Sequence, residues 1–228
     1  MPKVLIANRG EIACRIIRAC RRLGYSSAAV YSVADADAQH VRQADEAYLI
    51  GPAPVRDSYL KVEAIIEAAL SSGACFVHPG YGLLSENARF AEAVEAAGLI
   101  WVGPAPASII AMGDKGRARD LAVAAGVPVL LGSPRLDLTD EVGTAAAGDQ
   151  VGFPLLVKAS GGGGGIGMRL VEKAEDLAKT VKAVSALAER TFGDGGVFLE
   201  RYVARARHIE VQVFGLGDGR VFHLFDRE

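Results

Sequence analysis

The sequence predicts an α/β domain followed by a smaller α+β lobe and the opening of a further antiparallel sheet. Three observations carry this expectation. Short apolar runs alternate with amphipathic stretches up to about residue 112, which implies strands and helices in turn and hence a parallel sheet covered by helices. Two strand-like runs, 154–159 and 168–171, flank five consecutive glycines where a helix would otherwise be expected, and together read as an antiparallel hairpin. The last stretch alternates apolar and polar residues on both sides of "GLGDG" (215–219), a second hairpin.

Taken in order, "KVLIA" (3–7) is a buried-strand candidate, and residues 10–23 place Ile12, Ile16, Ile17 and Cys20 near helical spacing before Gly24 ends the run. Strands are expected at 27–32 and 47–51 and a helix at 59–73. "CFVHPG" (75–80), a helix over 87–98 and a strand over 99–103 complete the first unit, residues 1 to about 112. Residues 107–125 are helical in pattern, in two pieces broken near Gly113, and 125–134 reads as a turn and a strand leaving that unit. The lobe then offers strand 154–159, the glycines, strand 168–171, helix 174–190 and strand 196–203. The final hairpin alternates at Ile209, Val211 and Val213 and returns through Val221, His223 and Phe225. Two strands are marginal alone, so this sheet is expected to be completed by the lobe or cut short at Glu228.

The chain has 228 residues, half of them apolar, with 25 basic and 27 acidic side chains. That near balance argues against a nucleic-acid or anionic-membrane surface, which shows as a basic excess. Cys14, Cys20 and Cys75 are odd in number and lack metal-ligand spacing, so neither a disulfide framework nor a zinc site is indicated. The first residues fit neither a signal peptide nor a membrane span. A soluble protein of the reducing cytoplasm is the expectation.

The run Gly161–Gly165, with Gly167 one residue further, is the most unusual feature. Each ordered glycine opposes folding by roughly 0.5 to 1 kcal/mol relative to alanine, so five must do something that side chains would obstruct. A dinucleotide fingerprint needs a strand-to-helix turn, but here both flanks read as strands. A Walker A loop fails because Met168 and Arg169 stand where Lys and Ser or Thr are required. A flexible linker predicts polar neighbours, whereas "LLVKAS" and "MRLV" are strand-like. What remains is a hairpin tip whose bare amides approach an anion such as phosphate, with Lys158 adding charge from the preceding strand.

These features occur in a recognisable order. "ANRGEIACRIIRACRRLG", "HPGYGLLSEN", "AMGDKGRARDLAVAAGVP", "KASGGGGGIGMR" and the stretch from Glu200 to Gly219 resemble the ATP-grasp enzymes, and among them the biotin carboxylases, over essentially the whole chain. The resemblance implies a Rossmann-like pre-ATP-grasp domain over 1–112, an ATP-grasp lid lobe with its linker over 113–204, and the first, incomplete hairpin of the C-terminal ATP-grasp lobe over 205–228. It implies a ligase that phosphorylates bicarbonate with ATP to give carboxyphosphate and then carboxylates N1′ of carrier-bound biotin.

The resemblance also implies roles for individual residues. Lys115 matches a lysine reaching the ATP phosphates, Lys158 one that contacts the nucleotide from the lid, and Gly164 and Gly165 glycines over the phosphates. Glu200, Arg201, Tyr202 and Val203 match the adenine hinge, with the Arg201 carbonyl and Val203 amide on the base edge. His208 matches a histidine facing the nucleotide. His78 is expected to form a turn or line a cleft, Glu86 and Asn87 to start the following helix, and His40 and His223 to have no role. Ile166 stands where the family carries a basic residue, and "FDRE" interchanges the usual acidic order. The magnesium carboxylates and the bicarbonate- and biotin-directed arginine are expected beyond Glu228, so no catalytic residue is expected within these residues and negligible turnover from them alone. Implied partners are a biotin carboxyl carrier domain or protein, a carboxyltransferase component, bicarbonate and a second copy in a homodimer. Two other readings compete: a nucleotide-binding module that never catalyses, and another ATP-grasp carboxylate ligase, against which "HPGYGLLSEN" and "ANRGEIA" argue.

Overall fold

The computed structural model describes residues 1–161 and 167–228. The chain divides into two compact units, Met1–Ile110 and Ala111–Glu228. In the first, strands β1 (Lys3–Ile6), β2 (Ser26–Ser32), β3 (Glu46–Gly51), β4 (Phe76–His78) and β5 (Ile100–Trp101) form a parallel sheet in the order β3-β2-β1-β4-β5. Helices α1 (Gly10–Leu23), α2 (Gln39–Gln43), α3 (Val62–Ser71) and α4 (Ala88–Ala96) occupy its crossovers. After Lys3 the central strand is apolar, Val4 to Ile6, because both its faces are covered. Val4 and Ile6 pack with Ile16, Ile17 and Cys20 of α1. Leu5 and Ala7 pack with Ile65 of α3 and Phe90 and Val94 of α4 on the other side. Helix α1 ends as its sequence implies, at Gly24 in the left-handed conformation (φ 75°) that a side chain would disfavour.

Helix α5 (Pro106–Gly113) leads into the second unit, where α6 (Lys115–Ala124) begins at Asp114, whose carboxylate accepts the Arg117 N–H. The break near Gly113 is therefore a helix start with its own cap. After α7 (Glu141–Val151), strands β6 (Leu155–Ala159), β7 (Met168–Val171) and β8 (Val197–Arg201) make an antiparallel sheet in the order β7-β6-β8, with α8 (Leu177–Phe192) between β7 and β8. Leu155, Val157, Val171, Val197 and Leu199 point to one side, into a core with Leu177, Val181 and Val184 of α8. Strands β9 (Glu210–Gly215) and β10 (Val221–Arg227) form the expected antiparallel hairpin, exposed along both strands.

The structure corrects several boundaries. Residues 125–134 hold one isolated bridge, Gly132 to Glu200, and no strand. The segment does run beside β8, with Arg201 N–H donating to Leu131 O and Ser133 N–H to Leu199 O. The ladder is interrupted because Pro134 has no N–H and the Leu199 amide is taken by the Ser133 hydroxyl. The helix expected over 59–73 begins only at Val62, because Tyr59 turns into the core, 1% exposed, and donates to Asp35. Strand β8 stops at Arg201, two residues before the expected end. Helix α7 falls in a stretch, 135–153, that carried no expectation.

Candidate functional site

The site grows from the alternation of β6. Its even positions, Leu156 and Lys158, face away from the side on which Leu155, Val157 and Ala159 are buried, the first two in the lobe's core. The register sets Leu156 between Leu170 of β7 and Glu200 of β8, and Lys158 between Met168 and Phe198. One face of the sheet therefore carries a lysine and a glutamate among four apolar side chains. The Lys158 ammonium lies 2.7 Å from Glu200 Oε1, with the two side chains only 19% and 22% exposed. It also stands 5.7 Å from the centre of the Phe198 ring, within cation–π range. Met168 and Leu170, by contrast, are 42% and 44% exposed and free to cover a flat apolar group. Burying each would contribute about 1 kcal/mol.

The glycine run joins the Lys158 end of β6 to β7. Gly167 holds φ +79° and its carbonyl accepts the Ala159 N–H, closing the foot of the hairpin. Residues 162–166 lie outside the described residues, and with them Gly164, Gly165 and Ile166. A cation in a partly apolar surround attracts an anion more strongly than it would in water, so this face can hold a molecule that is anionic at one end and flat and apolar at the other.

Of the remaining residues singled out in the sequence, Arg201 ends β8 with its N–H held by Leu131 O, and Tyr202 donates its N–H to Pro154 O. The backbone is thus pinned as far as residue 202, and Val203 follows as an exposed residue. Lys115 opens α6 behind the Asp114 cap. His208 is 84% exposed with Nε2 3.6 Å from Glu210 Oε1. The structure brings Lys158 and Glu200 into contact, with Arg201 next in the strand, and sets Lys115 at the start of α6 and His208 in the segment before β9 of the same unit. The sequence reading missed Leu156, Met168, Leu170 and Phe198; counting outward from Lys158 in steps of two finds Leu156, and the register finds the rest. Among the described residues no group of three or more His, Cys, Asp or Glu side chains is placed to hold a metal ion.

In the first unit two of the sequence motifs meet. The Asn8 side-chain amide donates to Pro79 O (2.6 Å) and Tyr81 O (2.9 Å), clasping the "HPGYG" turn to the end of β1. Gly80, at φ +67°, leaves no room for a Cβ against that amide. His78 Nδ1 accepts the Gly80 N–H, the turn-forming role expected of it, and burial pushes its pKa down. Asn87 caps α4 by accepting the Phe90 N–H. Tyr81 donates to Glu11, which raises the tyrosine pKa. His40, given no role, is wholly buried, its Nε2 3.2 Å from Val30 O.

Residues 1–109 match the family described as biotin carboxylase, N-terminal domain, and residues 114–228 match carbamoyl-phosphate synthase L chain, ATP binding domain. The chain is 51% identical over 226 residues to the biotin carboxylase of Halalkalibacterium halodurans, covering 99% of this chain and 50% of that protein. It is 48% identical to the mitochondrial methylcrotonoyl-CoA carboxylase subunit alpha of Oryza sativa subsp. japonica, covering 99% of this chain and 30% of that protein. The biotin carboxylase domain dimer of Hydrogenobacter thermophilus 2-oxoglutarate carboxylase, solved with MgADP, ADP and bicarbonate, superposes with a TM-score of 0.91 at 44% identity, covering 98% of this chain and 49% of that one. The chain thus spans half or less of the length of these relatives. The two matches follow one another along the chain as the two structural units do: residues 1–109 belong to the biotin carboxylase N-terminal domain family, and residues 114–228 to the family of the carbamoyl-phosphate synthase L chain ATP binding domain.

Proposed function

We propose that this chain supplies the nucleotide-binding part of an ATP-dependent biotin carboxylase, a ligase that carboxylates carrier-bound biotin. The observation that carries the reading is the Lys158–Glu200 pair, set among Leu156, Met168, Leu170 and Phe198 at the foot of the glycine-tipped hairpin. In this reading the apolar side chains cover the adenine, the Arg201 carbonyl and Val203 amide meet its edge, and Glu200 and Tyr202 frame that hinge. Lys158, Lys115 and the amides of Gly164 and Gly165 hold the phosphates, and His208 faces the nucleotide. The pinning of the backbone up to Tyr202 supports a hinge that reads the base through main-chain groups. Residues 1–112 are the Rossmann-like domain, 113–204 the lid lobe and 205–228 the first hairpin of the C-terminal lobe.

The γ-phosphoryl group passes to a bicarbonate oxygen, giving ADP and carboxyphosphate, and the carboxyl group then passes to N1′ of biotin with release of phosphate. The part of this chain is to bind, orient and shield the nucleotide, which for phosphoryl transfer is most of what a protein contributes. Bicarbonate, a biotin carboxyl carrier, a carboxyltransferase and a second copy in a homodimer are the partners. No helix among the described residues is long and apolar enough to cross a membrane, and three free cysteines fit a reducing cytoplasm. The test is ADP release by the natural full-length protein with bicarbonate and biotin supplied or withheld. Release that depends on both supports a carboxylase; ATP binding with no turnover under any of these conditions favours the non-catalytic module.

A further inference from the structure

We propose that Arg135 and Asp194 form a latch that positions the base of the glycine-tipped hairpin, and so act as positioning residues for nucleotide capture. The second half of this statement rests on the function proposed above; the latch itself rests on geometry alone. Arg135 donates from Nη1 to Asp194 Oδ2 at 2.9 Å and from Nη2 to Oδ1 at 2.5 Å, a bidentate pair. The same Oδ1 accepts the Gly196 N–H at 2.9 Å. The Gly196 carbonyl in turn accepts the Ser160 N–H at 2.8 Å. Ser160 directly follows β6 and directly precedes the glycine run.

The turn Gly193–Gly196 is gripped from other sides too. The Ser185 hydroxyl of α8 donates to Gly195 O at 2.7 Å. The guanidinium lies so closely over Gly196 that any Cβ there would collide with it. Leu136, the neighbour of Arg135, donates its N–H to Val197 O, fixing the arginine's own backbone against β8. The hairpin foot is therefore tied at two points: Ala159 to Gly167 across the hairpin, and Ser160 to the latched turn. Arg135 and Asp194 are 57% and 40% exposed, a setting in which an ion pair adds little to global stability. Its effect is local, on where the Ser160 end of the tip begins. In the proposed function Lys158, two residues before Ser160 in the chain, meets the phosphates, so loosening this foot weakens capture without altering the chemistry that follows.

The experiment compares the native full chain with Arg135→Ala, Arg135→Lys and Asp194→Asn by site-resolved amide hydrogen exchange, thermal unfolding and calorimetric titration with ATP. Arg135→Ala is expected to speed exchange at Ser160 and Gly196 roughly fivefold, the order of a surface ion pair, while amides of β6 and α8 and the unfolding temperature stay unchanged. ATP affinity is expected to fall by a similar factor. In turnover by the full-length protein, KM for ATP rises with kcat retained. Arg135→Lys, with charge but without the fork, gives an intermediate value, and Asp194→Asn, which keeps an acceptor for Gly196, loses less at Gly196 than at Ser160. Unchanged Ser160 exchange in Arg135→Ala, or loosening spread over the whole lobe and not relieved by lysine, overturns the latch. A loosened Ser160 with native ATP affinity overturns its role in capture. Absence of ATP binding by the native protein counts against the proposed function and leaves the exchange data to decide the latch.

Discussion

Lys158→Met removes the charge at the centre of the candidate site and keeps much of the side chain's length. Two effects must be separated. At 2.7 Å from Glu200 the attraction is about 6 kcal/mol at an effective dielectric of 20 and about 1.5 kcal/mol in water. Desolvation returns most of it, so the pair itself adds little net stability, but deleting one member leaves Glu200 largely buried and uncompensated. That costs on the order of 1 to 3 kcal/mol, and the lobe unfolds several degrees lower. A phosphate about 4 Å from the ammonium gains about 4 kcal/mol at the same dielectric, reduced because it must share Lys158 with Glu200. A net loss of about 1.5 to 2 kcal/mol makes ATP binding roughly ten- to thirtyfold weaker. Calorimetric titration with ATP, run beside thermal unfolding, measures both. The double variant Lys158→Met with Glu200→Met removes the stranded charge, so it is expected to recover thermal stability and not ATP affinity. Affinity within twofold of native in a folded Lys158→Met protein would refute the assignment of this face to the nucleotide.

Gly167→Ala places a Cβ 2.9 Å from the Ala159 Cβ on a residue at φ +79°, and is expected to lower the stability of the second unit by about 1 to 2 kcal/mol in denaturant unfolding; no measurable change would contradict the closed hairpin foot. Burial raises the Asp35 pKa, but hydrogen bonds from Tyr59 and Ser32 and the charge of Arg9 outweigh it and leave the carboxyl below its ordinary 3.8. The stability this carboxylate confers is full above that value and lost as pH falls through the lower folded one, so Asp35→Asn is expected to flatten the acid limb of the first unit's unfolding midpoint below about pH 4.

Much of the first unit was legible because its inner strands β1 and β2 are buried on both faces and helix α1 is amphipathic, so "KVLIA" and residues 10–23 declare themselves within a few residues. What escaped depended on contacts between distant residues. Tyr59 continues a helical pattern, yet its hydroxyl finds Asp35, twenty-four positions earlier, and the helix starts later. Helix α7 hid because its interior is mostly alanine and glycine, and only Asp140, which accepts the Gly143 N–H, marks its start. Residues 125–134 have a strand's composition, but the Ser133 hydroxyl and Pro134 break the ladder that would have made them one. Within the site, Lys158 could be singled out from its place before the glycines. Its partner Glu200 and neighbour Phe198 could be attached to it only through the β6–β8 register, which no local pattern encodes.

In the proposed function Lys158 and the β6–β7 hairpin that carries it hold ATP for the carboxylation of biotin. Transfer of labelled carbon from bicarbonate to biotin by the natural full-length protein, with ADP counted in the same reaction, tests it most directly. The expected result is ATP-dependent labelling of biotin, close to one ADP per carboxyl group, and a rise in the ATP requirement of ten- to thirtyfold in Lys158→Met. Labelling that proceeds without ATP, or an ATP requirement that Lys158→Met leaves unchanged, would contradict it.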